Sequence, residues 1–401
     1  TCPPPTRRPK SSWKPSKASR PVRRLSGGKG GVVQPAGNFF AYPAASDLIE
    51  LEAGERPRFW VTIDTEEDFD WAAPFARTGY RLASVSALAE CQSYFERAAV
   101  RPIYLVDWPI VADDRAVDIL GTAQDGGRCE IGAQLHPWVT PPHDEEVSER
   151  NSYTGNLPAD LQRAKMTMLR DAIRDRFGIA PAVYRAGRYG LGPDSAAMLA
   201  DLGFRCGTTV GRGFGLGRDG PARLADLGFR CDTWGASGFD YRAGNGPDYR
   251  DAPLHPWWVR TGQGAVLEMP VTTVFGGLLG GAGRHVYHRV ARNGTHAGAA
   301  LARFGLVERI ALTPEGIPAD RACKAIDIAI EARLPVLNFS FHSPSLQPGN
   351  TPYVRSVADL DLFYRWWEVV LDHLARRGVE ATTAADILAM AERKIAPKPT
   401  S

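Results

Sequence analysis

Four short stretches put polar or ionisable side chains where apolar runs end. In "VTIDTEEDFDW" (61–71), Thr62, Asp64 and Glu66 are two apart, so in an extended strand they share one face. "EIGAQLHPW" (130–138) does the same with Gln134 and His136. "YRAGRYG" (184–190) carries Arg185 and Arg188, and "VLNFSFH" (336–342) ends on His342. Carboxylates gathered at a buried strand end repel one another unless something cationic offsets them. An arginine, always charged and able to grip a carboxylate with two parallel bonds, would do so, and so would a metal ion. Histidine at a strand end suits proton transfer near neutrality. Each stretch also has a plainer reading: a solvated acidic loop, a surface arginine, a histidine satisfied within the fold.

The elements that must position these residues alternate. Strands are expected at 58–64, 101–108, 129–136, around "PAVYRAG", around "AVLEMPVT" and at 335–342. Helices are expected at 82–99, near 113–124, over "ADLQRAKMTMLRDAIRDRFG", and at 194–202, 283–304, 318–333 and 357–377, with a closing strand–helix pair in "VEATTAADILAMAERK". Strand-then-helix alternation implies parallel pairing, in a barrel or a doubly wound sheet. Neither a glycine-rich dinucleotide fingerprint nor a P-loop follows a strand, so a barrel is the better expectation. All four chemical stretches then fall at strand C-termini, the face on which parallel barrels carry their active sites. The combination points to a hydrolase with a base, a cationic clamp or metal, and a general acid.

At 401 residues, 44% hydrophobic and 23% charged, the chain can bury a full core, and no apolar run approaches a membrane span. The net charge of +3 hides an asymmetry: nine basic residues lie between Arg7 and Lys29, leaving 3 − 9 = −6 for the rest. The Pro, Ser, Gly and Lys content of that segment predicts a disordered basic tail over 1–46, ahead of a folded domain over 47–396. A nucleic-acid-binding arm is the other reading of the tail, though the folded part lends it little support. Six scattered cysteines without a C-x-x-C pair argue against a disulfide framework and suggest reduced thiols in a cytoplasmic setting.

One segment repeats. "AGRYGLGPDSAAMLADLGFRC" (186–206) recurs at 211–231 with thirteen of 21 positions identical. The second copy has Val210 and Gly213 where the first has Arg185 and Arg188, so only the first can supply those arginines. A local duplication spanning about 207–231 accounts for it.

In order, "TIDTEEDFDW", "EIGAQLHPWVTPP", "YRAGRYGLGP", "LEMPVT" and "FSFHSPSLQPGNTPYV" resemble the motifs of the polysaccharide deacetylase (NodB-homology, carbohydrate esterase family 4) superfamily, nearest its WalW-like branch, across about residues 58–390. The resemblance implies an α/β fold, a distorted (β/α)7 barrel, that removes N-acyl or O-acyl groups from a sugar of a cell-surface polysaccharide or lipopolysaccharide precursor. It implies a divalent metal, zinc foremost. Asp64 resembles the family's catalytic base, Arg185 the arginine that orients it and His342 the general acid. Glu66 and His136 are the nearest metal ligands. The usual first ligand histidine is replaced by Gln134, and the usual acidic ligand next to the base by Thr65, which puts the metal in question. Trp138, Arg188 and Tyr189 would bind the sugar, and Trp71, Trp257 and Trp258 would suit a stacking cleft. The expected partner is a carbohydrate, with no nucleic acid and no membrane span; oligomeric state stays open. A barrel that has lost turnover and only binds a glycan is the alternative.

Overall fold

A computed structural model describes residues 39–40, 42–70, 73–208, 245–247, 249, 253–278 and 306–395. Most of the expected tail, Trp71, the second repeat copy from 209 onward and the helix expected over 283–304 lie outside the described residues. Phe39, inside the stretch expected as tail, is buried in the core.

Eleven strands are described. They are β1 (Arg58–Thr65), β2 (Ile103–Val106), β3 (Glu130–Leu135), β4 (Val183–Ala186), β5 (Cys206–Gly207), β6 (Trp257–Thr261), β7 (Gly264–Glu268), β8 (Thr273–Gly276), β9 (Glu308–Ala311), β10 (Val336–His342) and β11 (Glu380–Ala381). The main sheet runs β10-β1-β2-β3-β4-β5-β7-β6, and every neighbouring pair but the last is parallel. The antiparallel β6 and the small β8–β9 sheet were not legible as such in the sequence.

The chain leaving β7 turns back to β10, the first strand of the order. Asn338 donates from its backbone nitrogen to Thr272 Oγ1 (2.8 Å), and Thr272 returns a bond to the Asn338 carbonyl (3.3 Å). The parallel sheet is therefore curled, with the segment after β7 reaching its edge strand β10. The described α-helices are α1 (Leu88–Arg97), α2 (Trp108–Ala112), α3 (Asp114–Asp125), α4 (Ala159–Phe177), α5 (Ser195–Asp201), α6 (Ala319–Glu331), α7 (Val357–Arg377) and α8 (Ala384–Ile395), beside several short 3-10 turns.

Strand alternation sorts the two faces. Val61 and Ile63 of β1, Tyr104 and Val106 of β2, and Phe339 and Phe341 of β10 point outward to helices α1, α3, α4, α6 and α7, forming the larger core. The opposite face is stratified along the strands. Its lower layer is apolar: Trp60, Ile103, Leu105, Val183, Leu267 and Val336, closed beneath by Ala384, Ile387 and Ala391 of α8. Two residues further along β1, β4 and β10 the same face turns polar, with Thr62, Asp64, Arg185, Asn338 and Ser340, all buried. Among the described residues, the polar groups of this face lie toward the C-terminal ends of these strands. Trp257 and Trp258 are buried core residues, and Trp258 packs under α8 rather than in a cleft.

Helix α4 anchors the loop after β3. Lys165, wholly buried on its inner face, donates to the carbonyls of Pro137 (2.8 Å), Thr140 (2.5 Å) and Pro142 (2.8 Å) and pairs with Glu145 (3.0 Å). Substituting Lys165→Met strands these acceptors without a donor, and is expected to cost about 3 kcal/mol. A urea denaturation series checks this: the midpoint should fall with an unchanged slope. An unchanged midpoint would show that the loop does not depend on this anchor.

Candidate active site

Parallel register does the first part of the assembly. Asp64 is directly opposite His342 across β1–β10, and Gln134 is opposite Arg185 across β3–β4. The expected residues Asp64, Arg185, His342, Glu66 and His136 thus converge at one end of the curled sheet.

Arg185 is the hub of the polar layer. Its guanidinium donates to Asp64 Oδ1, Ser340 Oγ (2.9 Å), Thr62 Oγ1 (2.9 Å), Thr208 Oγ1 (2.9 Å) and the Thr208 carbonyl (2.8 Å). A buried charge is tolerable only when its donors are matched in this way. The other Asp64 oxygen, Oδ2, faces His342 Nε2 at 3.7 Å. On the far side of that ring Nδ1 meets Glu315 Oε2 (3.2 Å), while Glu315 Oε1 accepts from the His342 backbone nitrogen (3.2 Å) and from Ser345. Glu315 sits in the loop after β9, where no periodicity marks it, and sequence reasoning missed it.

His136 divides the rest of the site in two. Its Nδ1 lies 3.0 Å from Glu67 Oε2 and 3.7 Å from Asp107 Oδ2. This side is saturated: Glu67 Oε1 accepts from Trp138 Nε1 (2.8 Å), and the Asp107 oxygens accept from the backbone nitrogens of Glu67 (3.1 Å) and Ile110 (3.0 Å). Its Nε2 lies 3.4 Å from Glu66 Oε2 and 3.3 Å from the Gln134 amide nitrogen, which donates to Glu66 Oε2 (3.0 Å). This side is not saturated, because Glu66 Oε1 and Gln134 Oε1 are both buried without a hydrogen-bond partner. Burial, reinforced by the charges of Asp64, Glu67 and Asp107, pushes the Glu66 carboxyl well up. Burial also raises the Glu67 carboxyl and, aided by Glu67, pushes Asp107 well up. Burial takes the His136 imidazole down to about 4, so at neutral pH it is uncharged with a lone pair to offer.

Glu67, Asp107 and His136 present ligand atoms within 4.8 Å of one another and form a possible metal-holding group. The unsatisfied oxygens favour the other face of the ring. A carboxylate taking the Nδ1 proton fixes the tautomer and turns Nε2 outward, as outer partners do for ligating histidines. Nε2, a Glu66 oxygen and, after rotation of its amide, Gln134 Oε1 could then meet a divalent cation. The crowd of buried carboxylates is the electrostatic environment that a cation would relieve. Asp107 was missed although it follows β2 directly, in step with Ile103 and Leu105. Glu67 was missed because β1 ends at Thr65, and the two-residue phase ends with it.

The three residues expected to bind sugar differ in placement. Trp138 is buried and stacks on His136 (centroids 4.3 Å apart), so it forms the wall behind the ring. Tyr189 is buried, its ring 6.0 Å from the Arg185 guanidinium, with a hydroxyl that has no partner. Arg188 is partly exposed at the rim. Gly187 allows this turn to lie against the site, since a Cβ there would come 2.3 Å from His136 Cδ2.

No protein-family model matches the sequence, and no curated protein matches it. Among solved structures, a Mycobacterium smegmatis protein regarded as a polysaccharide deacetylase is similar over 88% of this chain and 99% of its own, at 14% identity and a TM-score of 0.47. A 4-alpha-glucanotransferase from Thermococcus litoralis matches 84% of this chain and 40% of its own, at 12% identity and a TM-score of 0.45. A polysaccharide deacetylase from Bacillus cereus matches 82% and 94%, at 10% identity and a TM-score of 0.34. Likenesses this distant leave the chemistry to be read from the residues.

Proposed function

We propose that this chain is a hydrolase removing acyl groups, N-acetyl foremost, from an amino sugar of a cell-surface polysaccharide or lipopolysaccharide precursor, on a distorted (β/α)7 barrel. The observation that carries the reading is the buried Asp64 carboxylate, gripped by Arg185 on one oxygen and facing the His342 imidazole with the other at 3.7 Å. That is a base and an acid set side by side at the C-terminal ends of neighbouring strands.

Asp64 takes the proton of the attacking water, with Arg185 fixing the carboxylate's orientation. His342 gives a proton from Nε2 to the departing nitrogen, and Glu315 holds the ring by Nδ1 so that Nε2 faces the substrate. A divalent metal, zinc foremost, held by Glu66, His136 and Gln134, would polarise the acyl carbonyl and acidify water. Glu67 and Asp107 serve His136 from behind, and Trp138 shields that pair. The unpartnered Tyr189 hydroxyl offers a donor to the sugar or to the acyl oxygen.

Two measurements on the intact chain test the reading. Acetate release from acetylated amino sugars should be detectable, and zinc should bind after chelator treatment and dialysis. Glu66→Gln should weaken zinc binding at least tenfold by calorimetry. Zinc bound equally by both forms would remove Glu66 from the ligand set. Sugar binding without acetate release would favour the alternative of a glycan-binding barrel, to which the amide at Gln134 also points.

A further inference from the structure

Arg188 and Tyr189 both hold left-handed backbone, with φ of 53° and 55°. For residues with a side chain this conformation costs on the order of 1 kcal/mol each and persists where the surroundings enforce it, often at ligand sites. The turn sends Tyr189 inward, and it holds Arg188 near two rings at the rim. The Arg188 guanidinium carbon lies 4.2 Å from the Tyr153 ring centre and 5.0 Å from that of Phe75. Phe75 continues the stack to Trp138 (4.6 Å), and Trp138 to His136 (4.3 Å). The cation is therefore connected ring by ring to the floor of the site.

A guanidinium packed against aromatic rings can still present its N–H groups to a ligand, in the fork that matches a carboxylate or a phosphate. Among the described residues its one hydrogen bond goes to Ser152 Oγ, and its nearest carboxylate, the half-exposed Glu149, is 4.0 Å away. The floor beneath is crowded with Asp64, Glu66, Glu67, Asp107 and Glu315, which would repel an anion. An acidic ligand can enter only with its charge held at the rim.

We propose that Arg188 is an anion-reading subsite that takes the carboxylate or phosphate of an acidic acetylated amino sugar while the acyl group lies against Asp64. This rests on the sugar-deacetylase reading above and names the substrate class for it.

Calorimetry on the intact chain with N-acetylglucosamine, N-acetylglucosamine 6-phosphate and N-acetylglucosaminuronic acid tests it. At least one anionic sugar should bind tenfold or more tighter than the neutral one, and which one does so separates phosphate from carboxylate. Arg188→Gln should bring that ratio close to one, and Arg188→Lys should restore only part of it, since an ammonium has no fork. Glu149→Gln, an exposed change that leaves packing alone, should increase the ratio by removing a competing carboxylate. Equal binding of all three sugars, or a ratio that survives Arg188→Gln, overturns the subsite. If the neutral sugar is still bound and deacetylated, the deacetylase reading stands without it. If no sugar binds or loses acetate, both fall together.

Discussion

Asp64→Asn is expected to lower turnover of any acetylated sugar by about a thousandfold, within the range that a positioned general base contributes. The amide fills the same space and its oxygen can still accept from Arg185, so the fold should survive. What it cannot do is take a proton from the attacking water, the role that Asp64 Oδ2, 3.7 Å from His342 Nε2, is placed to fill. The effect should appear in kcat with little change in KM, because the lost interaction belongs to the transition state. A thermal melt of the variant guards against misfolding. Turnover within a few-fold of the parent would remove Asp64 from the role of base.

The second large effect concerns stability. Arg185 is 1% exposed and uses its donors on Asp64, Thr62, Ser340 and Thr208, which come from two strands, β1 and β10, and the residue following β5. Arg185→Met leaves a buried carboxylate without its counter-charge and several hydroxyls without a partner. Breaking a buried pair from one side typically costs about 3–5 kcal/mol, which corresponds to a fall in Tm of roughly 10 °C. Pairing it with Asp64→Leu should recover part of the loss, since no charge is then left buried alone. If the double variant melts no higher than Arg185→Met, the cost lies in packing and the Asp64–Arg185 pair is not its source.

The two variants distinguish positions that look alike on paper. Both residues belong to one buried layer of the concave face, yet Asp64 turns one oxygen to the His342 imidazole while Arg185 spends its donors on protein groups. Loss of the first should be read mainly in rate, and loss of the second mainly in stability.

Much of this arrangement is written in local sequence. Period-two alternation in "FWVTID" assigns Trp60, Thr62 and Asp64 to one face, and the same rule assigns Asn338, Ser340 and His342 to one face of β10. Because parallel strands all run the same way, residues at their C-terminal ends must gather at one end of the sheet. That is why Asp64, Arg185, His136 and His342 are expected together from the sequence alone. The antiparallel turn of β6 could not be read, because a tryptophan-rich run fits a core strand and an aromatic cleft equally well.

Tertiary structure alone decided the partners. Glu315 reaches His342 from a loop with no repeating pattern, and Glu67 meets His136 only after β1 has ended and its phase has lapsed. Which imidazole nitrogen turns toward Glu66 depends on what saturates the other, and that depends on β2 lying beside β1 in this register. Residue type and spacing determine which face a side chain takes; only the packing of neighbouring strands and loops determines what stands opposite it, and at this site the opposite group sets the chemistry.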